Sequence, residues 1–173
     1  MNKRNTVLIS LFAVLTGVSA LIVIPVPFSP VPITLQSLFC ILSGAVLGKK
    51  KGMLSQLVYV FLGVAGLPVF SRGTGGLAVL FGPTGGYIIG FVIAACICGL
   101  FTEKGLVFTG ILSGFIIIFV LGCVQLKYVM QIKWSESFFL GAVPFIPGEL
   151  IKIILAVGVY KRLRKAGVLA YTR

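Results

Sequence analysis

The chain has 173 residues, of which 58% are hydrophobic and only 10% are charged. A soluble domain carries about 25% charged residues because its surface faces water, so this composition predicts an integral membrane protein. Fifteen Lys and Arg residues against three acids give a net charge of +12, but these cations lie in short clusters between apolar runs. They do not form the basic stripe that is typical of nucleic-acid binding, so nucleic acid is not an expected partner.

Residues that carry enzymatic chemistry are scarce. There is no His, and the three acids are Glu103, Glu136 and Glu149. The four Cys residues lie inside apolar runs, and Cys96 and Cys98 have no second pair and no His to complete a metal site. We therefore expect buried free thiols, no metal, no cofactor and no enzymatic activity.

The apolar runs, taken in chain order, predict an all-α membrane protein with a bundle of six transmembrane helices. A spanning helix needs roughly 20 residues, so six helices use most of the chain and leave room for one domain over residues 1–173. The first run follows two cations, as in a signal peptide, but no cleavage site follows it, so we interpret it as a retained helix. The predicted helices cover residues 7–24, 33–47, 53–66, 83–101, 106–126 and 147–160.

The connections between these helices are of two kinds. A Pro-rich segment, 25–32, and a Gly-rich segment, 67–82, are unusually apolar, and the prolines of the first lack the N–H groups that a helix needs. The remaining connections are a polar break at 48–52, a tight turn at 102–105 and a polar loop at 127–137, with an apolar stretch at 138–146 before the last helix.

The distribution of Lys and Arg predicts the orientation. With the N-terminus inside, eleven cations lie on the inner side, whereas only Arg72, Lys127 and Lys133 lie on the outer side. Cytoplasmic loops carry an excess of Lys and Arg, so both termini are expected to be cytoplasmic.

The two apolar segments then share the outer side. Irregular backbone at a membrane must be buried or line a cavity, so we interpret them as the walls and lid of an outward-facing site, with ordinary connections as the alternative.

Lys152 is the most informative single residue, because a Lys inside a membrane helix costs roughly 2.5–3.5 kcal/mol on insertion scales. Glu149 lies one turn earlier and can pair with it. Physical reasoning leaves two interpretations equally open: a structural ion pair, or a cation held for an anionic ligand. Polar or small residues just below the outer segments are further candidates for ligand binding, although each is more often a packing residue; they are Gln36, Tyr87, Thr84, Gly85 and Gly86.

Helix 1 carries three small residues, Ala13, Gly17 and Ala20, at spacings of four and three. Such a face lets two helices approach closely, either within this protein or with a partner.

A phosphate-binding loop is excluded at Gly44. The run that ends at Lys49 has three residues between its glycines rather than four, and no Ser or Thr follows the Lys.

Several ordered motifs resemble the BioY family. They are PVPITLQ at 30–36, GLPVF at 66–70, GPTGGY at 82–87 and PGELIK at 147–152, and the resemblance extends over residues 7–165. BioY proteins are the substrate-capture (S) components of energy-coupling factor transporters for biotin. The resemblance implies biotin uptake in the cell membrane, with a transmembrane coupling protein (T component) and two ABC-type ATPases as partners.

The resemblance also implies residue roles. It makes four residues candidates for contact with biotin, namely Glu149, Lys152, Gln36 and Tyr87. It also implies that the small-residue face of helix 1 binds the coupling protein. Two positions depart from the family pattern: Glu149 stands where Asp is frequent, and Thr74 stands where many members carry Arg. The cation nearest to Thr74 in the sequence is Arg72, which becomes a further candidate for biotin binding.

The alternative function is a self-sufficient secondary transporter for biotin or another small vitamin with a carboxylate, although no internal repeat supports it.

Overall fold

The computed structural model describes residues 3–171, so Arg173, counted above on the inner side, and the ends of the predicted 1–173 domain lie outside the described residues. Within this range the chain is mostly helical. The elements are α1 (Lys3–Ser19), β1 (Val23–Ile24), β2 (Ile33–Thr34), α2 (Gln36–Leu47), α3 (Lys49–Val64), α4 (Ala78–Phe81), α5 (Gly85–Glu103), α6 (Val107–Met130), α7 (Trp134–Gly141) and α8 (Ile146–Lys165), with 3-10 turns at Ser71–Gly73 and Val143–Phe145.

The longer helices run between two ends of one bundle. One end carries the hairpin of β1 and β2, and we call it the hairpin end; the other carries most of the Lys and Arg side chains, and we call it the basic end. Helix α5 is central and packs against α2, α3 and α6, whereas α8 packs mainly against α2 and α6. Each of the six predicted helices overlaps one of the longer helices α1, α2, α3, α5, α6 and α8.

Three helical stretches in the described part of the chain are long and apolar enough to cross a membrane. They are Gly85–Glu103, Val107–Met130 and the combined α7–α8 stretch Trp134–Lys165. The helices α1, α2 and α3 are shorter, with 17, 12 and 16 residues. The composition and these helices agree with the prediction of a helical membrane protein.

The first helix ends five residues earlier than predicted. Residues 23 and 24 instead form β1, whose Val23 and Ile24 pair antiparallel with Thr34 and Ile33. Pro25 disfavours helical backbone at the residue before it, so the chain becomes extended there. The Pro-rich segment is therefore the loop of a short hairpin, and the second helix begins at Gln36 rather than at residue 33.

The polar break at 48–52 is shorter than predicted, because α3 already begins at Lys49. Gly48 alone interrupts the helix, with a φ of +81° that a residue with a Cβ rarely adopts. Lys is a good helix former, so the three lysines continue as helix. The Glu103 Oε1 atom accepts a hydrogen bond of 2.9 Å from the Lys49 backbone N–H and so satisfies one donor of the first turn.

The prediction of a loop over 127–137 was wrong. Helix α6 continues to Met130, and α7 begins at Trp134. Glu136 lies in the first turn of α7 and its Oε2 atom accepts a 3.1 Å hydrogen bond from the Lys133 backbone N–H, which favours a helix start there. The apolar stretch at 138–146 thus contains the end of this short helix and the turn that leads into α8.

Candidate functional site

A cleft opens at the hairpin end of the bundle. Its volume is about 520 Å³, counting the space at its mouth. The hairpin, α2, α5, α6 and α8 all contribute to its walls, so it joins parts of the chain that are far apart in sequence. The lining residues are Val31, Pro32, Thr34, Gln36, Ser37, Ser71, Thr84, Tyr87, Ile88, Phe91, Ile118, Phe119, Phe145, Glu149 and Lys152.

The two charged residues of the cleft form a buried ion pair. The Lys152 Nζ atom lies 2.5 Å from Glu149 Oε1 and also donates a 2.9 Å hydrogen bond to the Ser37 hydroxyl. That hydroxyl lies 3.3 Å from both carboxylate oxygens of Glu149 and can donate to them. The exposed fractions are 4% for Lys152, 7% for Glu149 and 7% for Ser37. The group is therefore electrically neutral and almost fully removed from solvent.

Ser37 is the member of this group that the sequence did not single out. It follows Gln36 at the start of α2, so the first turn of that helix delivers both residues to the cleft. Hydrogen bonds compensate for the burial of these two side chains, because a polar group without a partner in a membrane interior is costly. A lone Ser in an apolar helix carries no pattern that predicts this contact.

Gln36 lies beside the ion pair and is held in a fixed orientation. Its Nε2 atom donates a 2.5 Å hydrogen bond to the Tyr59 hydroxyl on α3, and its Oε1 atom accepts one of 3.2 Å from the Thr34 hydroxyl. Gln36 is 4% exposed. The amide thus links the hairpin, α2 and α3 and presents a rigid polar edge to the cleft.

Tyr87 contributes its ring to the cleft rather than a free hydroxyl. The hydroxyl donates a 2.8 Å hydrogen bond to the carbonyl of Gly141 at the end of α7. The ring stacks edge-on against Phe119, with the centroids 6.2 Å apart. Tyr87 therefore forms part of an apolar wall with Phe91, Ile118 and Phe145, residues that the sequence analysis did not name.

Gly85 and Gly86 do not line the cleft. They lie where α5 crosses its neighbours, and a Cβ on Gly86 would meet the carbonyl of Leu121 on α6. A Cβ on Gly85 would meet the Leu80 carbonyl and the Gln125 side chain. Both glycines therefore allow close backbone approach. Thr84, just before them, does reach the rim of the cleft.

Arg72 lies beside the cleft rather than in it. It occupies the 3-10 turn of Ser71–Gly73 with a φ of +61° and a ψ of +24°, which is left-handed backbone that is uncommon outside glycine. It lines an adjoining groove that shares Pro32, Ser71 and Thr84 with the cleft. Its cation is therefore placed at the mouth, away from the buried pair.

The three small residues Ala13, Gly17 and Ala20 are buried inside this chain, with Ala20 directly after the end of α1. Ala13 is 2% exposed and Ala20 is 0% exposed. A Cβ on Gly17 would lie 3.2 Å from the Val69 side chain and 3.9 Å from the Tyr59 ring. In this chain, the three residues thus pack against the protein itself, and the partner surface that the resemblance implies stays a prediction.

Two other kinds of site find no support in the described residues 3–171. A groove of about 1120 Å³ between α6, α7 and α8 is larger than the cleft, but its lining is almost entirely apolar and lacks a set of polar groups that could orient a ligand. No group of three His, Cys, Asp or Glu residues in that range could hold a metal ion.

Comparison with known proteins agrees with the resemblance in the motifs. The BioY family model matches residues 1–168. The probable biotin transporter BioY of Pyrococcus horikoshii is 43% identical over 164 residues, which cover 95% of this chain and 98% of that protein. The biotin transporter BioY of Thermotoga maritima is 43% identical over 170 residues, with 95% and 98% of the two chains covered.

A solved structure extends this likeness to the fold. It is a crystal structure of the S-component for biotin from an ECF-type ABC transporter, and it matches with a TM-score of 0.87 and 31% sequence identity. The match covers 95% of each chain. The family model, the close relatives and the shared fold agree, and the chain therefore belongs to the BioY family.

Proposed function

We propose that this chain takes up biotin as the substrate-capture (S) component of an energy-coupling factor transporter. The observation that carries the proposal is the neutral, buried group of Lys152, Glu149 and Ser37 at one side of a mostly apolar cleft. Biotin combines an apolar chain and a thioether ring with a ureido group, and a mostly apolar cleft with a few fixed polar groups suits such a ligand. The named biotin transporters among its relatives support the same ligand.

The charge of the site favours one orientation of biotin. Glu149 already neutralises Lys152, so the carboxylate of a ligand placed there would be repelled by Glu149 in a medium that screens charge poorly. The ureido group is neutral and carries one carbonyl acceptor between two N–H donors. Lys152 and Ser37 can donate to that carbonyl while Glu149 accepts from an N–H. We therefore place the ureido ring at the buried pair.

The carboxylate of biotin then points toward the mouth of the cleft. Arg72 lines the groove that adjoins the mouth of the cleft, together with Ser71 and Thr84, which line both. Its cation is therefore available to the carboxylate. This placement differs from one of the two interpretations that the sequence left open, in which Lys152 holds an anionic ligand. It also keeps the charged end of the ligand near solvent, where desolvation is less costly.

We place the hairpin end on the outer side of the cell membrane, and we propose six spans with both termini cytoplasmic. In the described residues, ten Lys and Arg lie at the basic end, and apart from the buried, paired Lys152 only Arg72, Lys127 and Lys133 lie at the hairpin end. An excess of Lys and Arg is characteristic of cytoplasmic loops. A cleft at the hairpin end then captures biotin from outside.

Transport requires partners that supply energy. The chain belongs to a family whose named members are biotin transporters, so it is a transport protein rather than an enzyme, and its sequence has no phosphate-binding loop. We propose a transmembrane coupling protein (T component) and two ABC-type ATPases on the cytoplasmic side as those partners. The matched protein of known structure is itself an S-component from an ECF-type ABC transporter, which supports this division of labour.

Calorimetry on the purified protein tests the proposal. Biotin should bind tightly in detergent, thiamin and riboflavin should not bind, and ATP should not be hydrolysed. If another vitamin binds and biotin does not, the proposed ligand is wrong.

A further inference from the structure

The segment that follows α8, residues 166–171, turns back across the basic end of the bundle. Leu169 and Ala170 are each only 2% exposed, so the segment packs into the protein instead of extending into solvent. We call it the C-terminal strap. Neither the sequence motifs nor the cleft accounts for its burial.

The strap is bonded to three other helices. The Ala170 backbone N–H donates a 3.0 Å hydrogen bond to the Val46 carbonyl in the last turn of α2. Lys51, in the first turn of α3, donates a 2.5 Å hydrogen bond to the Ala170 carbonyl. Arg4 of α1 donates a 3.2 Å hydrogen bond to the Val168 carbonyl. A segment of six residues thus joins α1, α2 and α3 at the basic end.

The strap is also tied back to the helix that it follows. The Tyr171 and Tyr160 hydroxyls lie 2.7 Å apart, within hydrogen-bond distance. Burial, and then the neighbouring Tyr160 hydroxyl, raise the pKa of Tyr171, and either hydroxyl can be the donor. Tyr160 is 3% exposed and ends the buried face of α8.

That buried face is narrow. Helix α8 has 20 residues, yet the buried ones are only Glu149, Lys152, Ala156 and Tyr160, at helical spacing along one stripe. At the hairpin end, Glu149 and Lys152 hold the stripe to Ser37 of α2. At the basic end, the strap holds it, because Tyr171 contacts Tyr160 while Ala170 bonds α2. Within its packing against α2 and α6, helix α8 is therefore linked to α2 by hydrogen bonds at two points, about two to three turns apart.

We propose that the C-terminal strap is a positioning device that fixes the basic end of α8 against α2 and so keeps Lys152 and Glu149 in register with Ser37. The inference rests on the proposed function, because these residues are its biotin site. When the strap is released, α8 can swing about its remaining attachment, and only a fraction of molecules holds the binding geometry. The apparent affinity for biotin falls by that fraction, although the strap does not line the cleft.

Two adjacent lysines provide a matched test. Lys51→Met removes the donor to the Ala170 carbonyl, whereas Lys50→Met changes an exposed neighbour that has no hydrogen bond to the strap in the described residues. Biotin affinity should fall roughly fivefold in Lys51→Met, as for one net hydrogen bond, and stay unchanged in Lys50→Met. Tyr171→Phe, which keeps the ring, should act like Lys51→Met. Equal affinities in all three variants would overturn the proposal.

A distance measurement separates positioning from a general loss of stability. Spin labels at Lys161 and Lys104, both exposed at the basic end, are introduced after the four native cysteines are replaced. Release of the strap by Lys51→Met should broaden the distance distribution well below the melting temperature, and biotin should narrow it again. An unchanged distribution, or one that biotin does not narrow, would overturn the proposal. Absence of biotin binding by the parent protein would instead refute the proposed function.

Discussion

At the scale of single residues, the proposed orientation of biotin places its ureido group at Lys152 and its carboxylate near Arg72. Lys152→Met should lower the affinity for biotin and for biotin amide by a similar factor, about tenfold to a hundredfold, because the lost charge-assisted hydrogen bond goes to the ureido group that both ligands share. Arg72→Gln should lower the affinity for biotin alone, by about twofold to fivefold, as expected for a charge near the solvent. Calorimetry with both ligands measures the four changes.

The Lys152 variant needs a control for folding, because it leaves the Glu149 carboxylate buried without its cation. The double variant Lys152→Met with Glu149→Gln restores neutrality. It should melt cooperatively, near the parent temperature, and still fail to bind either ligand. A larger loss for biotin than for the amide in Lys152→Met would mean that the carboxylate meets Lys152, and the proposed orientation would be reversed.

The sequence could predict part of this site because charge in a membrane helix is conspicuous. Lys152 and Glu149 are identified by their rarity, and their spacing of three residues predicts the pair. Ser37 could not be found in this way, since its role depends on α2 and α8 meeting across more than a hundred residues. Gly86 was expected near the ligand because it lies just below the outer segments, but it faces α6 instead.

At the scale of secondary-structure elements, a substitution at Gly86 tests whether this glycine allows close helix approach or contacts the ligand. Gly158 provides the comparison. Gly86→Ala places a Cβ against the Leu121 carbonyl, so it should lower stability by about 1–3 kcal/mol through overpacking. In α8, a Cβ on Gly158 meets nothing within 4 Å. Gly158→Ala should therefore be neutral or stabilising by about 0.5–1 kcal/mol. Thermal unfolding compares the two. If Gly86→Ala keeps its stability and loses only biotin, the residue contacts the ligand.

Helix α1 allows a similar comparison at neighbouring positions. Ala13 is 2% exposed and Val14 is 53% exposed. Ala13→Leu should lower the melting temperature and weaken biotin binding, because three added carbons must enter a packed interior. Val14→Leu should change neither quantity. If Ala13→Leu is as stable as the parent but no longer co-purifies with the coupling protein, the small face is the partner surface that the resemblance implies.

At the scale of the whole molecule, hydropathy predicts where the helices lie but not how the chain joins them. The apolar runs locate the six longer helices because lipid excludes charge over such lengths. The hairpin, α7 and the C-terminal strap are short, and tertiary contacts decide them. Ser29, for example, donates a 2.8 Å hydrogen bond to the Leu140 carbonyl, which joins the hairpin loop to α7. Such contacts have no local pattern, so sequence periodicity could not reveal them.

The proposed orientation predicts which surfaces an impermeant reagent can reach on intact cells. Lys133 lies at the hairpin end and Lys50 at the basic end, and both are suitable positions for a single engineered cysteine in a background without native cysteines. A membrane-impermeant maleimide should label Lys133→Cys on intact cells, whereas Lys50→Cys should react only after permeabilisation, because the excess of cations places the basic end in the cytoplasm. Labelling of Lys50→Cys from outside would mean that the orientation of the protein in the membrane is the opposite of the proposed one. In that case the cleft would open to the cytoplasm and could not capture biotin from the medium.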